Sequence, residues 1–351
     1  MQLEIVRTNK QKKDFLNFRK SLYENDNFYV STIEYTFKMI FNQTTDFAKT
    51  CIVRPIYIKD DCKVLAEAIL IKAPNDDFVQ IAFFEALEDV NEAVEMIKEY
   101  SRSFAKELNV NKIIVGLYGH LSYGVGFTVD MNKPNTFDSV YTKRYYIDYF
   151  SYYTKYELCA FSSKLDDLYP FMIDRKSSIK IRPINFKDFY NEMILFRDIC
   201  EKTIGKTFLY SKTPKNHFYE LIKEMKFFLK KENILFAYHN DEIVGFIFWH
   251  PDYNEILAKG KAETMLSIGL KYVFKKNKIK RVKLNAIGVL EKHEGFVTMS
   301  LLNEAAKYMK KYDILETNFV WKNNVKSMRI NKHLLKNVER NFLVMEENIC
   351  E

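Results

Sequence analysis

The sequence predicts an α/β protein of two tandem domains, each with a mixed, mostly antiparallel sheet flanked by helices. Three observations lead to this prediction. The chain has 351 residues, more than the roughly 100–200 residues of a typical domain. The order strand, helix, hairpin, strand, helix, strand occurs in both halves. Residues 288–309 pass from an apolar strand end through a short polar turn into an amphipathic helix.

The first half is predicted to form one complete domain, residues 1–163. Apolar side chains recur at every third or fourth position of residues 90–108, which indicates a long amphipathic helix. Residues 116–126 are rich in glycine and are predicted to form a loop. The predicted strands are 3–7, 52–58, 63–71, 78–84, 112–115 and 156–161, and the first helix is 11–23.

The second half is predicted to form a second domain of the same kind, residues 178–351. Residues 164–177 carry a proline, mixed charge and only a weak apolar pattern, which indicates a linker. An insertion, residues 251–280, interrupts the second domain. Its predicted strands are 179–182, 234–238, 243–250, 282–290, 315–320 and 340–346, and its helices are 188–200, 218–231, 298–311 and 324–335.

The turn before helix 298–311 is a candidate anion site. A strand that enters a helix through a short turn directs backbone N–H groups and the positive end of the helix dipole to one place. A pyrophosphate group could bind there. Glu294 adds a carboxylate to this turn, however, which is unfavourable beside a pyrophosphate unless the side chain points away, and Gly295 is the one glycine of the turn.

These features resemble the tandem GNAT-like acyltransferases of bacteria, which carry two GNAT folds in one polypeptide. The resemblance extends over the whole chain. Its most specific motifs are Pro-Asp-x-Asn at 251–254 and Trp-x-x-Asn-x-x-x-Met at 321–328. The other motifs are Phe83-Phe84-Glu85, the loop from Gly116, Gly126-Phe127, Tyr145-Tyr146, Val244-Gly245-Phe246, Gly288-Val289-Leu290 and Glu316.

The resemblance implies a transfer of an acetyl or other acyl group from acyl-coenzyme A to an amine, directly and in the C-terminal domain. It also implies that strands 282–290 and 315–320 separate to admit the pantetheine arm of the cofactor. The corresponding turn of the first half, residues 85–89, is acidic and lacks glycine, so we expect that copy to bind no coenzyme A. The implied cofactor-binding residues are Val289, Leu290, Glu294, Gly295, Phe296, Val297, Thr298 and Asn324.

Two residues are candidates for the general base that accepts the proton of the amine. Glu316 lies on the predicted strand 315–320, where burial could raise the pKa of its carboxyl group, and His293 lies in the turn. Each has a structural alternative, since Glu316 could form a salt bridge and His293 could be an exposed turn residue. Asn324 and Thr298 could equally start helices, and Trp321 could belong to the core.

Composition restricts the remaining possibilities. The net charge of +8 could indicate nucleic acid, but lysine greatly outnumbers arginine, and residues 271–280 alternate lysines with apolar residues as a solvated helix face would. The five cysteines lie far apart, which argues against a disulfide framework and a zinc site. Without an apolar run of about 18 residues we expect no membrane partner. We expect a cytoplasmic protein, as monomer or homodimer, with a small-molecule amine as acceptor.

Three functions remain open at this point. The first is an acetyl-coenzyme A-dependent N-acyltransferase. The second is transfer of an aminoacyl group from tRNA, since peptidoglycan-bridge transferases resemble this architecture, although no coiled-coil insertion is visible. The third is a tandem GNAT scaffold that has no catalytic activity and binds a ligand or partner. Glu294, Val297 and Met299 favour it, because the GNAT turn has Arg or Gln at the first of these positions and glycine or a small residue at the other two.

Overall fold

A computed structural model describes residues 1–30, 34–130, 133–168, 179–260, 263–335 and 337–349. Most of the predicted linker, 164–177, lies outside the described residues. The described chain follows the predicted order of elements. The strands are β1 (Gln2–Ile5), β2 (Ile52–Asp60), β3 (Lys63–Lys72), β4 (Val79–Ala86), β5 (Lys112–Val115), β6 (Phe127–Thr128), β7 (Thr154–Lys164), β8 (Lys180–Pro183), β9 (Ile234–His239), β10 (Glu242–Pro251), β11 (Arg281–Val289), β12 (Ile314–Thr317), β13 (Val320–Trp321) and β14 (Asn337–Asn348).

The predicted helices 11–23, 90–108, 188–200, 298–311 and 324–335 are present, with ends that differ by a few residues. The predicted helix 218–231 is wrong beyond Ile222, and the helices Glu34–Phe41, Asp46–Thr50, Tyr146–Tyr149 and Met265–Lys275 were not predicted. Some short connections form single 3₁₀ turns. The helices are α1 (Asn9–Tyr23), α2 (Glu34–Phe41), α3 (Asp46–Thr50), α4 (Asn91–Glu107), α5 (Tyr146–Tyr149), α6 (Phe189–Thr203), α7 (His217–Ile222), α8 (Met265–Lys275), α9 (Phe296–Met309) and α10 (Val325–Leu335).

The chain divides into two compact units, which differ from the predicted domains at their ends. The first unit comprises Met1–Leu158, Ala258–Glu263 and Arg340–Glu351. The second unit comprises Cys159–Leu257 and Thr264–Glu339. The last strand, which sequence analysis placed in the second domain, therefore packs in the first unit.

The sheet of the first unit has the strand order β1-β2-β3-β4-β5-β14, and β6 pairs with β14. Its neighbours are antiparallel except β4 and β5, which are parallel. The helix α4 packs on this sheet with one apolar face, because its buried residues recur at helical spacing. These buried residues are Ala93, Val94, Ile97, Ser101, Phe104 and Ala105.

The sheet of the second unit repeats this pattern with the order β7-β12-β11-β10-β9-β8. Only β11 and β12 are parallel, and the other neighbours are antiparallel. The helices α6 and α9 both pack on β10 and β11. The mixed, mostly antiparallel sheet flanked by helices confirms the predicted fold class for both units.

One irregularity occurs at the same place in each unit. In the first unit β4 is paired with β5 only over Val79, Gln80 and Ile81, and the register with β3 shifts directly afterwards, where Phe83 adopts a φ of 50°. In the second unit the register of β11 with β10 shifts at Asn285. Such bulges often lie beside binding sites because they change the direction of the strand.

Candidate functional site

In the second unit, two parallel strands separate and leave a backbone edge open. The strands β11 and β12 pair only over Arg281–Leu284 and Ile314–Thr317. Beyond that point, residues 285–289 pair with β10 alone among the described strands. Leu290 donates its N–H to Val244 of β10 at 2.8 Å. Because peptide groups alternate along a strand, those of Val289 and Ile287 point to the open edge.

Gly288 allows this strand end to lie close to α6. A Cβ atom on Gly288 would stand 2.3 Å from Thr203 Oγ1 and 2.5 Å from Phe246 Cε1. Those distances are far below van der Waals contact, so a larger residue would push β11 away from its neighbours. The glycine of the Gly288-Val289-Leu290 motif is thus explained by packing.

The turn that follows is centred on Gly295, with φ 80° and ψ −75°. Phe296 donates its N–H to the Glu294 carbonyl at 3.1 Å, so the turn is a three-residue γ-turn. α9 starts directly afterwards, and Gly295 rather than Thr298 is its N-cap, which corrects the predicted helix start. A Cβ on Gly295 would meet no described atom within 4 Å. The space in front of the turn is open.

The first turn of α9 has unused hydrogen-bond donors. No side chain caps this helix, and Met299 donates to Gly295 O at 3.0 Å. Within the described part of the chain, the amides of Val297 and Thr298 have no acceptor. Free N–H groups at the positive end of a helix dipole favour an anion.

The charge of Glu294 in this turn is compensated. Its carboxylate forms an ion pair with Lys326, in the first turn of α10. α10 is capped by Asn324, whose Oδ1 accepts the Ser327 N–H at 3.0 Å. Sequence analysis missed Lys326, because nothing in its local pattern indicates which turn it faces.

Comparison with known structures identifies the fold to which this open edge and turn belong. A tandem GNAT protein from the clavulanic acid biosynthesis pathway is similar to the chain with a TM-score of 0.59 at 8% identity, over 100% of this chain and 99% of that one. The chain has a tandem GNAT fold. A probable N-acyltransferase from Enterococcus faecalis V583 (TM-score 0.57, 7% identity) and a GCN5-related N-acetyltransferase from Anabaena variabilis ATCC 29413 (0.55, 9%) each cover 99% of this chain with 73% of their own.

The sequence itself is distant from known families. No protein-family model matches it, and no curated protein sequence is significantly similar. At identities this low, structural likeness establishes the GNAT fold and leaves the activity to be argued from the site.

The predicted cofactor residues of the GNAT fold lie along the open edge and the turn. Val289 ends β11, and Leu290 begins the turn. The Val297 side chain is buried in the unit, so it does not project into the turn. Phe296 is exposed, Thr298 is half-buried, and Asn324 caps α10 as the alternative interpretation proposed. Their contact with a cofactor stays a prediction.

The two candidate bases occupy different surroundings. Glu316 is buried on β12 and forms an ion pair with Arg281, which also lies 3.8 Å from Glu339. Burial alone would lower the pKa of Arg281, but the carboxylates of Glu316, Glu339, Asp252 and Glu255 together raise that pKa. His293 is half-buried in the turn, with its ring 5.1 Å from that of His239. Their catalytic roles stay predictions. Trp321 is buried against Phe208, in agreement with its core alternative.

In the first GNAT unit, tyrosines in α5 and directly before it form hydrogen bonds with the end of β4, which corresponds to the open edge of β11. Tyr145 donates its hydroxyl to Ala86 O at 2.8 Å, and Tyr149 donates to Leu87 O at 2.6 Å. The Tyr149 hydroxyl also accepts the Val90 N–H, at the start of α4, at 3.2 Å. Side chains of this unit therefore satisfy the backbone groups that remain open in the second unit.

The first unit also encloses a pair of carboxylates. Glu67 on β3 lies directly opposite Glu85 on β4, and both are buried. Glu85 contacts Arg19 at 2.6 Å and accepts hydroxyls from Tyr23 and Tyr146 at 2.6 and 2.8 Å. Neither oxygen of Glu67 has a hydrogen-bond partner among the described residues. Burial accordingly raises the pKa of Glu67 well above its ordinary value.

Neither a cluster of metal-ligating side chains nor a membrane-spanning helix is found among the described residues. No group of three or more His, Cys, Asp or Glu side chains there could hold a metal ion. None of the helices in that part of the chain has the length and apolar character needed to cross a bilayer.

Proposed function

We propose that the second unit is an N-acyltransferase domain that moves an acyl group from acyl-coenzyme A to the amine of a small molecule. The observation that carries this proposal is the open edge of β11 leading into an uncapped helix start. A linear amide-containing chain can pair with such an edge, and a pyrophosphate can bind at such a helix start. In the first unit the same positions are occupied by tyrosines.

The residues present fit coenzyme A. Val289 and Ile287 offer peptide groups along the open edge, and the amides of Val297 and Thr298 offer donors to the phosphates. Gly295 leaves room in front of these donors. Glu294 and Val297 were two of the residues that favoured a scaffold without coenzyme A. That argument is weaker now, because Glu294 is paired with Lys326 and the Val297 side chain is buried.

Acyl-coenzyme A supplies the acyl group as a thioester, which an amine can attack directly. The chain has to position the two reactants and accept the proton that the amine loses. Of the two predicted bases, we favour His293, because it lies in the turn that continues from the open edge. Glu316 is engaged in its ion pair with Arg281 and would lose that ion pair on protonation.

The binding experiment uses a matched pair of variants. Acetyl-coenzyme A is titrated by calorimetry into the wild-type chain, Gly295→Asn and Gly295→Asp. Both replacements have the same size and the same unfavourable φ, so only the charge differs. We expect the Asp variant to bind at least about tenfold more weakly than the Asn variant, a difference of about 1.4 kcal/mol, because its carboxylate faces the phosphates.

Two outcomes would contradict the proposal. One is the absence of binding at millimolar acetyl-coenzyme A, and the other is equal affinity of the Asn and Asp variants. Catalysis is then tested by thiol release with a set of small amines. Binding without turnover of any amine would support the scaffold function, whereas turnover lost in His293→Gln with binding retained would support His293 as the base.

A further inference from the structure

The insertion of the second unit exposes a cluster of large apolar side chains. Leu266, Leu270, Val273 and Phe274 of α8 are exposed, and Phe227, in the neighbouring 3₁₀ turn, is exposed as well. Phe274 and Phe227 are the extreme cases, with 84% and 77% of their surfaces accessible. We call these five residues the α8 patch. Elsewhere on the described chain, exposed apolar residues are more scattered.

The helix α8 is apolar on two sides. Met265, Ile268, Gly269 and Tyr272 are buried against the unit, and a Cβ on Gly269 would stand 3.3 Å from Phe228. The exposed residues 266, 270, 273 and 274 recur at the spacing of a second stripe. A helix with apolar residues on most of its circumference is normally covered, and contiguous apolar surface of this kind usually marks an interaction site.

The charges around the patch are mostly positive, with Glu224, Glu232 and Glu263 as the nearest acidic residues in sequence. From residue 265 to residue 278 the sequence contains Lys271, Lys275, Lys276 and Lys278 and no acidic residue. Beside Phe227 lies Lys226, and further lysines follow at 230 and 231. The exposure of Val273 and Phe274 agrees with the earlier expectation of a solvated helix face over residues 271–280.

This charge pattern selects among the possible occupants. A symmetric contact between two copies places the same surface on both sides, so α8 would meet α8 with an excess of lysines on each side. An anionic surface complements this excess of positive charge. The two phenylalanines project into solvent, and protruding apolar side chains enter the interfacial region of a bilayer without needing a preformed pocket.

We propose that the α8 patch docks the second unit on an anionic membrane surface, with its apolar side chains in the interface and its lysines on the lipid headgroups. This contact is peripheral and does not involve a membrane-spanning helix. It differs from the expectation, drawn from the lack of a long apolar run, that no membrane is a partner. It is also independent of acyl transfer, since the α8 patch is formed by residues outside the open edge and the turn.

The test is co-sedimentation of the full chain with lipid vesicles. We expect binding to phosphatidylcholine vesicles that contain about one-third phosphatidylglycerol, weaker binding at high salt, and little binding to phosphatidylcholine alone. The double variant Phe227→Ser/Phe274→Ser should bind at least roughly tenfold more weakly. Tyr152→Ser removes an aromatic residue that is fully exposed outside the patch, and this control should bind like the wild type. Lys271→Gln/Lys275→Gln should reduce both the binding and its dependence on salt.

Several results would overturn the proposal. Wild-type protein that does not bind the anionic vesicles at low salt excludes it, as does equal binding by the wild type and the double phenylalanine variant. Light scattering provides a further check in the absence of lipid. A dimer that the phenylalanine variant dissociates, together with no vesicle binding, would show that a second copy covers the patch. Unchanged thermal unfolding of the variants confirms that they fold.

Discussion

Replacement of Glu67 should stabilise the first unit, although the residue is completely buried. A buried polar group without a hydrogen bond costs about 1–3 kcal/mol, and no described group forms a hydrogen bond with either oxygen of Glu67. Glu67→Met has a similar length and removes both oxygens. We therefore expect it to raise the free energy of unfolding of the first unit by about 1–3 kcal/mol at neutral pH.

The effect of Glu67 should depend on pH, and Glu67→Gln isolates this dependence. Burial raises the pKa of Glu67 above its ordinary value of 4.5. Below that pH both the folded and the unfolded chain hold the proton. As the pH rises from 4.5 to the folded-state pKa, only the unfolded chain loses the proton. The free energy of unfolding therefore falls by about 1.4 kcal/mol per pH unit in this range. Glutamine never ionises, so the advantage of Glu67→Gln should grow with pH in this window.

Glu85→Gln serves as the matched control, because Glu85 lies directly opposite Glu67 on the neighbouring strand. It would remove the carboxylate nearest to buried Arg19 and leave only the longer contact with Glu34 at 3.8 Å, which should cost up to about 3–5 kcal/mol. The readout is urea unfolding at several pH values, with amide hydrogen exchange of β3 and β4. The fluorescence of the two tryptophans reports on the second unit, where Trp249 and Trp321 both lie. Equal stability of Glu67→Gln and wild type at all pH values, or destabilisation by Glu67→Met, would refute the reasoning.

Three further predictions follow from the described contacts. Calorimetry should find one acetyl-coenzyme A site per chain, because Tyr145 and Tyr149 fill the edge in the first unit; two equivalent sites would contradict this. Arg281→Leu should destabilise the second unit by about 3–5 kcal/mol in tryptophan-monitored unfolding, since buried Glu316 would lose its ion pair with Arg281; a loss below about 1 kcal/mol would show that the ion pair contributes little. Burial, together with Lys283, lowers the pKa of His250 to about 3. The second unit should therefore lose stability as the pH falls from 6.5 towards 3, where only the unfolded chain takes up the proton, and His250→Gln should flatten this profile.

Local patterns predicted the order of elements well, because helical and strand periodicities depend on neighbouring residues. The turn around Gly295 was also found in this way, since a strand, a glycine and an amphipathic helix follow one another directly. The pairing of Glu294 with Lys326 depends on how α10 packs, and no local signal contains that information. The same holds for the tyrosines near Tyr149, whose sequence is typical of core residues. Only their position beside β4 lets their hydroxyl groups form hydrogen bonds with the backbone there.

Strand patterns also leave open which sheet a strand joins. Residues 156–161 were predicted to close the first domain, and residues 340–346 to close the second. In the structure β7 pairs with β12 of the second unit through Ser162, Ser163 and Lys164, and β14 pairs with β5 of the first. The sequence of an apolar strand is compatible with the edge of either sheet, so tertiary packing determines which sheet the strand joins.

The position of β14 has a consequence for synthesis of the chain. Among the described strands, Lys112–Val115 finds its antiparallel neighbour in Met345–Asn348, so the first sheet cannot be completed on the ribosome until those distant residues have been made. Until then β5 presents an unpaired edge, which is a common starting point for aggregation. Contacts between residues so distant in sequence also slow folding. The amino-terminal half is therefore the part of this protein that we expect to depend most on chaperones during translation.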